Sequence, residues 1–324
     1  LRHYALAKNL IDHPNHRSSH VLPTPRGGGV AFIISFILAI LCVGYFDFET
    51  LSFIRVLVVA GMLVALLGFL DDHGKIGTMP RFLGHFLVAI FSFYLLGGMP
   101  SISFFSGVMP MGFLLNSLAV FYLVWLINLY NFMDGIDGLA GVEALSVCLG
   151  AVFIYWFCGD FSLMVFPLIL AASVAGFLGW NFPKARIFMG DAGSGFLGLT
   201  LGLLSIHAAM VDSVYFWSWL ILLGVFIVDA TITLLSRLVR GHRIYEAHRS
   251  HAYQQAVDYF GGHARVTFSV LIVNVVWLLP WALFVARGGV DGATGAFVAY
   301  CPLIVMALVL KAGRETSVMG KSRN

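Results

Sequence analysis

The chain has 324 residues, of which 60% are apolar and only 11% charged, and its formal net charge is +3. A soluble domain carries about a quarter charged residues and about half apolar ones, so the apolar excess calls for lipid around the protein. The weak positive balance argues against a nucleic-acid partner.

From Leu1 to Arg26 the chain is polar and basic and lacks the apolar core of a signal peptide. It reads as an inter-helix loop whose preceding helix is absent. Apolar runs of the length a bilayer requires then fall near 28–46, 53–70, 82–98, 113–130, 139–158, 161–180, 195–211, 214–236, 265–286 and 295–311. The expected fold is all-α: one polytopic membrane bundle over residues 1–324, with about ten transmembrane helices. Cys42, Cys148, Cys158 and Cys301 lie in or beside these runs without metal-ligand spacing, which suits packing.

Orientation follows from the basic residues. The N-terminal loop, the even-numbered gaps and the tail hold 17 of the 19 Lys and Arg; Arg55 and Arg287 fall near the other side. The positive-inside rule puts that side in the cytoplasm. The polar segments around Asp71, Asn131, Asn181 and His248 are separated by even numbers of crossings, so they share it.

Asp71 and Asp72 sit where an apolar run meets water. Adjacent carboxylates repel unless a cation lies between them, which suits a divalent metal or a general base, although a solvated helix end would look the same. In Asn128-Leu-Tyr-Asn131-Phe-Met-Asp134-Gly-Ile-Asp137-Gly138, oxygen-bearing side chains recur every third residue and drift slowly around one helix face. Such a row at a membrane helix end is costly unless it lines a polar cavity; helix caps and Asp-Gly turns are the alternative.

The stretch Asn181 to Gly195 contains Phe188-Met-Gly190-Asp191-Ala-Gly193-Ser194 before another span. Small residues with free N–H groups at a helix start bind anions, and Asp191 would place Mg²⁺ against the same phosphates. His248-Arg249-Ser250-His251 lies in the longest polar loop, with His242 and His263 nearby. Without a third spaced ligand, phosphate contact suits this pair better than zinc. Glu143 and Asp229, buried in apolar runs, are functional suspects or helix-to-helix hydrogen-bonding groups. Together these features suit phosphoryl transfer between a soluble nucleotide compound and a lipid phosphate.

The motifs Asp12 to His20 with Pro23-Thr-Pro-Arg-Gly-Gly-Gly29, Leu70-Asp71-Asp72, Asn131 to Gly138, Phe188 to Ser194 and the histidine loop occur in one order over residues 12 to about 255. In this the chain resembles the polyprenyl-phosphate N-acetylhexosamine-1-phosphate transferases, and among them the bacterial enzymes that initiate O-antigen and related surface glycans. The resemblance implies a multi-pass protein of the bacterial inner membrane with its active site facing the cytoplasm, and eleven helices, one more than this chain shows. It implies transfer of a sugar 1-phosphate from a UDP-N-acetyl sugar to undecaprenyl phosphate with release of UMP. Mg²⁺ would be the cofactor, with Mn²⁺ as a substitute, and a homodimer is compatible.

By the same resemblance Asp191 would ligate the metal, and Asp71 or Asp72 would deprotonate the lipid phosphate or assist the metal. Asn131, Asp134, Asp137, Asn181 and Gly190 would line the nucleotide-sugar cleft with Phe188 stacked on uracil, and His248 and His251 would hold a phosphate. The family usually has three His close together, whereas Arg249 and Ser250 separate two here; this departure argues against the MurNAc-pentapeptide subgroup. Arg81 and His85 replace the more usual Lys and Gln and receive no role. A transporter would explain Glu143 and Asp229 but not four such loops on one face, and no inverted repeat is evident. A CDP-alcohol phosphotransferase lacks its Arg after Asp134-Gly.

Overall fold

In the computed structural model, residues 2–8, 10–14, 22–47, 50–74, 76–105, 107–242 and 248–314 are described. Residues 15–20 of the first motif therefore lie outside the described residues. Long apolar stretches become α2 (Gly29–Phe46), α3 (Leu51–Asp72), α4 (Thr78–Leu96), α5 (Phe113–Met133) and α6 (Leu139–Cys158), preceded by a one-turn α1 (Arg2–Ala7). After a 3₁₀ turn at Phe161–Met164 come α7 (Val165–Asn181), α8 (Asp191–Val211), α9 (Ser213–Leu222), α10 (Gly224–Val239), α11 (Ala252–Phe260) and α12 (His263–Val273). A π-helical turn at Asn274–Leu278 joins α12 to α13 (Leu279–Ala286), and α14 (Gly292–Val309) is last.

Among the described residues nine helical stretches are long and apolar enough to cross a bilayer, and a tenth is the bent pair α9–α10. The expected all-α bundle is thus found. Among the described residues the strands form two short antiparallel pairs: β1 (Ile11–Asp12) with β2 (Thr24–Pro25), and β3 (Ile102–Phe104) with β4 (Gly107–Met109).

One expected span differs in kind. Residues 214–236 read as one apolar run, but the axis turns by 68° between α9 and α10. At the break, a Cβ on Gly224 would lie 2.9 Å from the Tyr300 ring, and the Tyr300 hydroxyl donates to the Leu220 carbonyl at 2.5 Å. Apolar composition records neither contact.

The centre of the bundle is α8, the most enclosed of the spans. Its small residues let neighbours come close: Gly198 faces the backbone of Leu126 in α5, and Gly202 the side chain of Leu123. At its first turn, Gly68 of α3 packs on the backbone of Asp191 and Ala192. Close packing at this end fixes the C-termini of α3 and α5 against the N-terminus of α8.

Candidate active site

The four N–H groups that open α8 need partners, because no preceding turn supplies them. The Asp191 and Ala192 nitrogens donate to Asp72 Oδ1 and Oδ2 at 3.1 and 3.4 Å, and those of Gly193 and Ser194 donate to the Gly190 carbonyl, both at 3.1 Å. The anion at this helix start is therefore the chain's own carboxylate, and the turn keeps no free N–H for a phosphate. The Asp72 side chain is 3% exposed, with Arg26 at 3.8 Å. Gly190 has φ +78°, and a Cβ there would stand 2.7 Å from Asp72 Oδ2. It shapes the turn around Asp72.

The glycine-rich segment after Pro25 lies along the same turn. Phe188 N–H donates to the Pro25 carbonyl at 2.8 Å, Gly28 N–H to Phe188 at 2.8 Å and Gly29 N–H to Met189 at 2.9 Å. This ladder brings Arg26 to the carboxylates.

Asp71 and Asp191 share one cation. Arg81, in the first turn of α4, donates to Asp71 and to Asp191 Oδ2, the latter at 3.0 Å. Asn131 Nδ2 holds the other Asp191 oxygen at 2.7 Å and reaches Ser194 Oγ at 3.4 Å. Sequence reasoning gave Arg81 no role; its proximity to the double Asp, with a short loop between, was the available signal. Asp134 sits beside this group between α5 and α6. Withdrawal from solvent, and then the charges of Asp191, Asp72 and Asp137, push its carboxyl well above the usual range.

No three Asp, Glu, His or Cys side chains among the described residues are grouped as a metal site. Mg²⁺ keeps several waters and is commonly held by one or two carboxylates together with substrate phosphates. Asp71 and Asp191 meet that requirement in number and in hard-oxygen chemistry, and the point where they converge already binds a cation, Arg81.

Beside the cluster opens a cavity of about 510 Å³ lined by Asp137, Phe188, Lys184, His263, Arg265 and Thr24, among others. Asp137 Oδ2 lies 3.3 Å from His263 Nδ1. Phe188 and Asp137 thus line the same cavity. Asn181 does not line the cavity: it is 3% exposed, takes the Gly138 N–H at 2.9 Å and donates to the Ile187 carbonyl at 3.0 Å. It braces two site loops against each other, because its amide is needed by backbone groups that burial leaves without water.

The two histidines are not equivalent. His251 is 2% exposed, with Nδ1 3.2 Å from Asp229 Oδ1, which seats its ring. His248 is partly exposed, and its ring stacks on His251 with centroids 5.0 Å apart. Asp229 also accepts the N–H groups of Ala252 and Tyr253 at 2.9 and 2.8 Å, capping α11 as Asp72 caps α8. The loop is fastened to the end of α5: His251 stacks on Phe132 at 6.1 Å, and the Tyr253 hydroxyl donates to the Phe132 carbonyl at 3.1 Å.

The chain is similar in sequence to known proteins. Residues 54–209 match the model of glycosyl transferase family 4. A probable undecaprenyl-phosphate N-acetylglucosaminyl 1-phosphate transferase of Bacillus subtilis is 30% identical over 282 residues, 85% of this chain and 76% of that protein. The decaprenyl-phosphate N-acetylglucosaminephosphotransferase of Mycolicibacterium smegmatis is 33% identical over 64% of this chain and 56% of its own length. The phospho-N-acetylmuramoyl-pentapeptide-transferase of Enterococcus hirae is 31% identical over 69% of this chain and 73% of that protein.

Proposed function

We infer the reaction from one premise: the chain belongs to glycosyl transferase family 4, among the enzymes that move a sugar 1-phosphate onto a polyprenyl phosphate in the membrane. The specific reaction we propose is transfer of an N-acetylated sugar 1-phosphate from a UDP-sugar to undecaprenyl phosphate. UMP is released, and the product starts an O-antigen or related surface glycan. The reaction takes place on the cytoplasmic face, the side that carries 17 of the 19 Lys and Arg.

The observation that carries this reading is the adjacency of two features at one end of the bundle. One is the Asp71–Arg81–Asp191–Asn131 cluster; the other is the cavity that Phe188 and Asp137 line. In this reading Asp71 and Asp191 would hold Mg²⁺, which when bound neutralises the diphosphate and its leaving phosphate. Asn131 fixes the Asp191 carboxylate by donating its Nδ2–H to Asp191 Oδ1. The Asp71 oxygen not given to the metal would accept the proton of the lipid phosphate, and Asp72 holds the turn that carries Asp191. Phe188 offers an aromatic face to the base, Asp137 and Asp134 supply polar wall, and Lys184 and Arg265 supply positive charge at its rim.

The test is a panel of UDP-sugars offered with undecaprenyl phosphate to the purified protein in detergent, with the lipid extract read by mass spectrometry. An undecaprenyl-diphospho-N-acetylhexosamine product supports the reading. A product carrying a MurNAc-pentapeptide, or none with any UDP-sugar, overturns it.

A further inference from the structure

Arg249 and Ser250 stand between His248 and His251. Ser250 is wholly buried. Its hydroxyl oxygen accepts from Arg237 at 3.5 Å and lies 3.0 Å from His248 Nδ1. A buried hydroxyl directs its hydrogen to an acceptor, and Arg237, a donor only, cannot be one. Among the described residues the acceptor available to that hydrogen is His248 Nδ1. An Nδ1 that accepts leaves the ring proton on Nε2.

The ring is also held in place. His251 stacks on it with planes 28° apart, and His251 is itself gripped by Asp229, whose oxygens are fixed by Thr233, Ala252 and Tyr253. We propose that His248 meets the substrate phosphate as a neutral Nε2–H donor, its tautomer set by Ser250 and its ring seated by the Asp229–His251 pair. Ser250 and Asp229 are then positioning residues. The proposal rests on the phosphoryl-transfer reading of this end of the bundle.

The charged groups around the ring agree. Arg237 and Asp229 face it from α10 and His251 from its own loop; burial first, then His251 and Arg237, pull the His248 imidazole down to about 3, against the pull of Asp229. A neutral donor has a chemical advantage here. The attacking group is a phosphate monoester with a second pKa of about 6. An imidazolium beside it would pass it a proton and blunt it, whereas a neutral N–H stabilises a phosphate oxygen without giving its proton away.

Two measurements test this. In protein labelled with ¹⁵N-histidine, the His248 resonances, identified by their loss in His248→Gln, should show the Nε2–H tautomer unchanged from about pH 5.5 to 8.5. Ser250→Ala should shift them toward the other tautomer and Ser250→Thr should restore them. A His248 that titrates near its ordinary value in the wild-type protein overturns the proposal, and that readout needs only the assignment from His248→Gln, not a folded Ser250 variant. In turnover, His248→Gln, which keeps a neutral N–H, should stay within about tenfold of wild type while His248→Ala loses roughly 10²-fold. Equal loss in both overturns it. If no UDP-sugar is turned over at all, the proposed function fails while the tautomer result still stands on its own.

Discussion

Asp72 Oδ1 accepts the backbone N–H of Asp191 at 3.1 Å, so the second residue of the double Asp is a helix cap delivered from another helix. Its neighbour Asp71 points instead to Arg81. Two adjacent carboxylates thus do different work: one completes the N-terminus of α8 and the other faces the reacting end.

The two should separate by mutation. Asp72→Ala leaves two N–H groups of α8 without a partner and should cost about 1–2 kcal/mol of stability, with a lower melting temperature in detergent. Asp71→Asn should melt within a degree or two of wild type yet lose turnover. Equal melting of both variants and wild type would remove the capping role.

Arg81 joins Asp71 to Asp191, and its charge offsets two carboxylates that would otherwise repel. Arg81→Gln should lower kcat by about 10²-fold, and Arg81→Lys should recover only part, since one nitrogen, Nη1, holds both carboxylates and the lysine side chain is one atom too short to place its ammonium there. Melting curves in EDTA should show Arg81→Gln as the less stable protein. Wild-type turnover and melting in Arg81→Gln would return it to the role sequence reasoning gave it.

Phe188 borders the 510 Å³ cavity. Base stacking on an aromatic ring is worth about 1–3 kcal/mol, so Phe188→Ala should raise KM for the UDP-sugar by roughly 5- to 150-fold, with a smaller change in kcat. Phe188→Tyr should stay near wild type. Initial rates of UMP release against UDP-sugar concentration decide it; an unchanged KM in Phe188→Ala places the base elsewhere.

Topology is checked separately. Reporter fusions after Asn324 and within 237–264 should both read as cytoplasmic, because 17 of 19 basic residues share that side. A periplasmic signal from either would reverse the bundle.

The spans were legible because hydropathy over about 20 residues is a local property, and the bounds of α6, α7 and α8 fall within a few residues of the apolar runs. The break at Gly224 was not, since the apolar run continues through it and the contacts at the turn come from Tyr300 on another helix. At the site, residue types announced a carboxylate and phosphate chemistry but not which residue touches which. Asp72 meets a backbone 119 residues away and Arg81 a carboxylate 110 away. The burial of His251 likewise depends on Asp229, 22 residues before it and on another helix. Sequence spacing within one segment carries none of these distances.

The central claim rests on Asp191, whose two oxygens are held by Asn131 at 2.7 Å and Arg81 at 3.0 Å beside the cavity. Asp191→Asn keeps the shape of the side chain and removes its charge. The decisive measurement is Mn²⁺ affinity and UMP release on one preparation of this variant beside wild type, each with an unchanged melting temperature. The account predicts weakened Mn²⁺ binding and loss of UMP release together; a variant that binds Mn²⁺ normally and turns over would contradict it.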